Sequence, residues 1–134
     1  MRKAILLIAC VLAMSCGGQG TDEATAHVNP FFSDYGTPFN VQPFDRIESE
    51  HFIPAFEKGM EEQNAEIAAI VENPEAPTFD NTIAALDRTG VLLDEAVRVF
   101  FALAGSNTND KIQEIQKQVS PRLAAHRDEI QLNP

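Results

Sequence analysis

The chain has 134 residues, 44% of them hydrophobic, with 20 acidic residues against 10 basic ones and a formal charge of −10. That length allows one domain at most. So acidic a surface excludes nucleic acid, or an anionic bilayer held by charge, as a partner.

The N-terminus is read as an export signal. Arg2 and Lys3 precede an apolar run from Ala4 to Met14, and small residues then lead to Cys16. The run is too short to span a bilayer as a mature helix, so residues 1–15 are expected to be a signal peptide. Cys16, preceded by Ala13-Met14-Ser15 and followed by Gly17-Gly18, resembles the lipidated cysteine of a bacterial lipobox. Leu7-Ile8-Ala9-Cys10 fits the lipobox letters better, but a cut there leaves an apolar region too short for export. The alternative is ordinary signal cleavage beside an incidental cysteine. An acylated Cys16 removes the thiol as a nucleophile or disulfide partner. It also makes the lipid the sole membrane contact, on an exported protein of the cell envelope, periplasmic or outer-membrane. Losing Arg2 and Lys3 makes the remainder more acidic by two charges.

Residues 16–28 are small and polar and read as a flexible tether. Residues 29–48 follow as an arm rich in proline and aromatics: Pro30, Pro38 and Pro43 restrict helix, while Phe31, Phe32, Phe39 and Phe44 demand cover. The arm is expected to be extended across a larger body.

The remaining residues, 49–134, are predicted to be helical. In a first helix, about 49–72, Phe52, Phe56, Met60, Ile67 and Ile70 share one face, and Asn73-Pro74 ends it. A second, about 80–105, opens at Asp80-Asn81 and stops at Gly105. Its stripe of Ile83, Leu86, Leu93, Val97, Phe100 and Phe101 widens through Leu92, Ala96, Val99 and Leu103 to an apolar arc of roughly 200°, well beyond what a surface helix needs. The third, about 109–131, aligns Ile112, Ile115, Val119, Leu123 and Ile130, with Pro121 expected to kink or interrupt it. Short connections make the three helices antiparallel neighbours. The fold class is therefore all-α: an arm and about three antiparallel helices, part of a larger helical lobe.

Chemistry is sparse. Glu48 and His51 have the i, i+3 spacing of an iron-binding pair, but a di-iron bundle needs two such motifs and two further glutamates. Acids at a helix start are favoured by the dipole in any case. His126 lies on the apolar face of the third helix, where a hydrogen-bonded core histidine is the ordinary role, and His27 stands in the tether without a partner. There is no His-Glu-x-x-His, Cys-x-x-Cys or Gly-x-Ser-x-Gly anywhere in the chain. No catalytic residue and no metal ligand is assigned, and Cys16 is the one candidate site, for lipid attachment.

Five strings in order carry a resemblance: Asn29-Pro30-Phe31-Phe32, Pro43-Phe44-Asp45, His51-Phe52-Ile53-Pro54-Ala55-Phe56, Thr78-Phe79-Asp80-Asn81-Thr82-Ile83 and Ser120-Pro121-Arg122-Leu123. Together they resemble the N-terminal portion of the thimet-oligopeptidase-like zinc metallopeptidases, in the peptidyl-dipeptidase and oligopeptidase A branch. The resemblance implies long helical proteins that cut oligopeptides in a channel between two lobes. Zinc is held there by His-Glu-x-x-His and a later Glu, none of which this chain contains. Residues 29–134 would then wall the channel, without zinc or activity of their own, beside a C-terminal catalytic portion. The alternative is a free-standing acidic helical lipoprotein that binds a partner through its second helix. As a piece of a larger core, the isolated chain is expected to be helical, and marginally stable or prone to associate.

Overall fold

The computed structural model describes residues 28–132. The signal segment, Cys16, His27 and all of the tether but Val28 lie outside the described residues. Four helices are present, α1 (Phe52–Val71), α2 (Ala84–Asp87), α3 (Val91–Ser106) and α4 (Asp110–Gln131), with no strand among the described residues. Nor is any described helix long and apolar enough to cross a membrane.

The predicted first helix is seen as α1, entered through a 3-10 turn over Ser49–His51. The predicted second helix is divided. It begins as a π-helical turn over Phe79–Ile83, passes through α2, and stops before Gly90, whose φ of 74° ends one helix and starts the next. Glycine is the residue that reaches this left-handed region without steric cost. The Gly90 N–H leaves the helical ladder altogether and donates to Glu66 Oε2 at 2.7 Å. The single stripe read across residues 83–101 is therefore corrected: Leu93 and Phe100 are buried, whereas Ile83 and Leu86 turn outward.

The third helix matches α4, but Pro121 does not interrupt it. Proline removes the bond to the carbonyl of Lys117. Both residues lie on the exposed side, where solvent can serve that carbonyl.

Three long helices run up, down, up. Gln63 meets Thr89 and Glu66 meets Gly90 at one end of the α1–α3 pair, while Phe52 and Phe56 meet Phe100 at the other, so these two are antiparallel. α4 runs parallel to α1, as the ladder Glu50–Lys111 (2.6 Å), Glu57–Arg122 (3.1 Å) and Gln63–His126 (2.7 Å) requires. The two ion pairs are exposed, and such pairs contribute little stability. The work is done by the core. Phe52, Phe56 and Phe100 interlock, with Phe100 set edge-on to both neighbours at 5.0 and 5.4 Å between ring centres. Val119, Ile112 and Ile115 of α4 close the third side.

The arm is not simply extended, since short 3-10 turns over Pro30–Phe32 and Pro38–Asn40 interrupt it. Nor do all its aromatics await an outside partner. Phe31 is buried 5.7 Å from Phe52, and Tyr35 is buried as well. Phe44 is half-open and Phe39 is 99% exposed.

Candidate functional site

The residues with chemical potential fall into three places. At the head of α1, Glu48 and His51 form a cap. The Glu48 N–H donates to His51 Nδ1 at 2.9 Å, and Asn29 Nδ2 donates to the His51 carbonyl at 2.8 Å. One ring nitrogen is thus spent on an orphan backbone donor, the purpose of a capping residue. His51 is buried and Glu48 exposed, so the pair does not point two ligands at a common point.

The second place lies twelve residues further along α1, about 18 Å by helical rise. There His126 Nε2 bonds Gln63 Oε1 at 2.7 Å, Gln63 Nε2 donates to Thr89 Oγ1 at 3.3 Å, and Thr89 Oγ1 donates to the Leu86 carbonyl at 2.9 Å. With His126 as donor, the string ties α4, α1 and the α2–α3 junction together. Burial pushes the His126 imidazole below its usual range, opposed by the charge of Glu129. His126 is thus the hydrogen-bonded core histidine expected from its position. No pattern in the sequence marked Gln63 or Thr89 as its partners; Gly90, between α2 and α3, was the one visible hint that a junction stood there.

At the third place, the arm meets α3. The Tyr35 hydroxyl donates to Glu95 Oε2 at 3.2 Å, and Arg46 donates to the Tyr35 carbonyl at 2.8 Å. Burial first, then the charge and hydrogen bond of Glu95, push the Tyr35 phenol up to about 12, against the lowering effect of Arg98.

None of these places unites a nucleophile with a base or gathers metal ligands. Among the described residues no three His, Cys, Asp or Glu side chains stand close enough to hold a metal ion. His51 and His126 each already serve a protein partner. The described residues therefore do not fit a zinc ion. Cys16 lies outside the described residues.

Residues of the five strings cap or brace turns and helices. Asn29 Oδ1 caps the turn at Phe31 (3.1 Å), the Pro43 carbonyl accepts from Arg46 and Ile47, and His51 caps α1. Thr78 and Asn81 cap each other's backbone at 3.1 and 2.7 Å. Ser120 donates to the Gln116 carbonyl just before Pro121, and Arg122 pairs with Glu57.

Some apolar side chains also remain open on the surface. A groove of about 430 Å³ runs between α3 and α4. Leu93, Val97 and Phe101 form one wall and Leu123 and Ile130 the other, with Asp94 and Arg127 among the charged groups lining it. Elsewhere Phe79, Ile83 and Leu86 present a further exposed strip.

No family model matches the chain. It is similar to the dipeptidyl carboxypeptidase of Escherichia coli strain K12, 43% identical over 106 residues, which cover 79% of this chain and 16% of that protein. It is also similar to the dipeptidyl carboxypeptidase of Salmonella typhimurium strain LT2, 41% identical over 105 residues, covering 78% and 15%. The resemblance carried by the five strings is thereby borne out, over most of this chain and a small part of each relative.

Proposed function

Because the chain is related to a segment of the dipeptidyl carboxypeptidases, we propose that residues 29–134 form part of the wall of a peptide channel in a longer zinc peptidase. The wall restricts access to unfolded oligopeptides by excluding folded proteins, while zinc and the catalytic groups come from a C-terminal portion. The single observation that carries this reading is the identity of 43% over 106 residues that amount to only 16% of the relative. This reading is also supported by the part that residues of the five strings play in this chain, where they cap or brace turns and helices and bring no reacting groups together. In the whole peptidase, zinc would polarise the scissile carbonyl and its water. No group of the described residues takes part in that chemistry.

On this reading the chain alone neither binds zinc stoichiometrically nor cleaves peptides. Purified chain incubated with zinc and a blocked oligopeptide should leave the peptide intact and retain no metal after desalting. One zinc per chain together with turnover would sink the proposal. The DNA downstream offers an independent check, because a frame encoding His-Glu-x-x-His some hundreds of codons on is expected. A free-standing, partner-binding lipoprotein is the second reading, favoured by the exposed Ile83 and Leu86. It requires a genuine stop and a stable complex recoverable from the envelope.

Export and lipidation at Cys16 belong to the same proposal. Labelled palmitate should enter the wild-type chain expressed in a bacterium and not the Cys16→Ser variant. Equal labelling of both would remove Cys16 as the anchor.

A further inference from the structure

Between α1 and α3 the chain runs a long way outside the core. From Ala68 to Thr89 no residue is buried, and none between Met60 and Leu92 belongs to the core cluster. Hydrophobic burial, the main favourable term in folding, therefore does little for residues 73–89. Their order comes from bonds made among themselves. Glu75 N–H donates to Asn73 Oδ1 at 3.0 Å, Thr78 and Asn81 cap each other, and Asn81 Nδ2 donates to the Ala76 carbonyl at 3.0 Å. α2 has only four residues, far fewer than the ~12–15 that an isolated helix needs. Among the described residues, two side-chain hydrogen bonds and no ion pair tie this stretch to the body. Both come from α1, and both act at the same end: Gln63 Nε2 on Thr89 Oγ1 at 3.3 Å, and Glu66 Oε2 on the Gly90 N–H at 2.7 Å. Gln63 and Glu66 are three residues apart, hence on one face of their helix.

We propose that residues 73–89 are a latched segment, unfolding and refolding as one unit while α1, α3 and α4 stay packed, with Glu66 and Gln63 as the latch. Segments with little buried apolar surface and exposed backbone bonds open at far lower cost than the whole molecule. The boundaries suit such a unit. α1 closes with Glu72 N–H on the Ala68 carbonyl, before Pro74, and α3 begins with Asp94 N–H on the Gly90 carbonyl at 2.9 Å. Opening of 73–89 thus breaks no backbone bond of either long helix. Gly90, in its left-handed conformation, is the turning point at which helical order stops and restarts. Because Gln63 also bonds His126, α4 has a hold on the segment through the latch. This device goes beyond the channel-wall reading and does not depend on it.

The test is native-state amide hydrogen exchange of the whole chain, read residue by residue by NMR. The amides of Thr82, Ala84, Arg88 and Thr89 bond within the segment, to the carbonyls of Thr78, Phe79, Ala85 and Leu86. All four should share one opening equilibrium, with protection roughly a hundredfold or more below that of Phe56, Phe100 and Val119 in the core. Glu66 is exposed, so Glu66→Ala removes the latch and spares the core. It should speed exchange of the four amides by a common factor of about ten, the low end for a hydrogen bond to a charged acceptor, and leave the three core amides unchanged. Glu66→Gln, which keeps an acceptor, should fall between, and Glu61→Ala, exposed on the same helix, should move none of them. Segment amides as protected as the core would overturn the proposal. So would a Glu66→Ala effect that is missing, or one confined to Thr89, since that is fraying beside the latch and not a unit opening.

Discussion

Gly59 of α1 lies directly against the backbone of Leu93 in α3: a methyl group at position 59 would fall 2.8 Å from Leu93 Cα and 2.9 Å from its nitrogen. The contact is with main chain, so no side chain can swing away. Closeness here is what lets Phe52 and Phe56 reach Phe100 at the far end of the same helix pair. Alanine ordinarily favours a helix over glycine by about 1 kcal/mol. Overpacking a fitted contact costs about 1–3 kcal/mol, and here it should win. Gly59→Ala is thus expected to lower the urea midpoint in spite of better helix propensity. An unchanged or raised midpoint would show that α1 and α3 separate at little cost.

Gly90 tests a different kind of strain. Its φ of 74° disfavours any L side chain, by about 1–2 kcal/mol. A Cβ there would also collide with the Gln63 amide. That amide is a flexible end, but it is engaged by His126 and Thr89, so moving it breaks two hydrogen bonds. Gly90→Ala should therefore destabilise the chain more than the backbone term alone. The excess should disappear in a Gln63→Ala background, where nothing remains to be displaced. Equal effects in both backgrounds would separate Gly90 from the Gln63 string.

These two glycines also show where the sequence was readable and where it was not. Helical periodicity located α1 and α4 to within a few residues, because each buries one continuous face. It failed between α2 and α3, where a helix-compatible pattern from Ile83 to Phe101 runs straight across Gly90. Periodicity records spacing along an axis and is blind to a change of axis. Apolar burden was read correctly as a quantity and wrongly as a place: Phe31 and Tyr35 find cover within the chain, while Phe39, Phe79 and Ile83 do not. The Gln63–His126 contact spans 63 positions and joins two residues whose neighbours carry no motif. Such a pair becomes visible only when two helices have been set side by side.

Tyr35 offers a direct optical test of how firmly the arm is held, since it is the chain's one tyrosine and there is no tryptophan. Its phenol is pushed up to about 12 by burial and by Glu95. Absorbance of the phenolate should accordingly rise near pH 12 in the folded chain, against about 10 for a free tyrosine. The sign for stability follows. A raised folded value favours the neutral phenol, so its contribution is complete below pH 10 and is lost as pH rises through about 12. Glu95→Gln should move the titration downward without abolishing the shift, because burial is the larger cause. A midpoint near 10 in the folded wild type would mean that the arm leaves α3 in solution.

His126 should impose the opposite pH dependence, at the acid end. Burial holds its folded value below the 6.5 usual for histidine, whereas in the unfolded chain the ring takes up a proton near that value. Between the two values the unfolded state binds a proton that the folded state refuses. Stability is therefore fully present above pH 6.5 and declines as pH falls through the depressed folded value. The groups nearby do not reverse this. Gln63 of α1 is neutral, Asp94 of α3 and Arg127 of α4 bring opposite charges to the adjoining groove, and Glu129 opposes burial without overcoming it. His126→Gln keeps a donor for Gln63 but has nothing to titrate. Urea midpoints of the two proteins should keep a constant gap above pH 6.5 and converge as pH is lowered below it, with the wild type showing the steeper fall. Curves that stay parallel across that range would mean His126 is solvated, and that the string from α4 through Gln63 to Thr89 does not hold the three elements together.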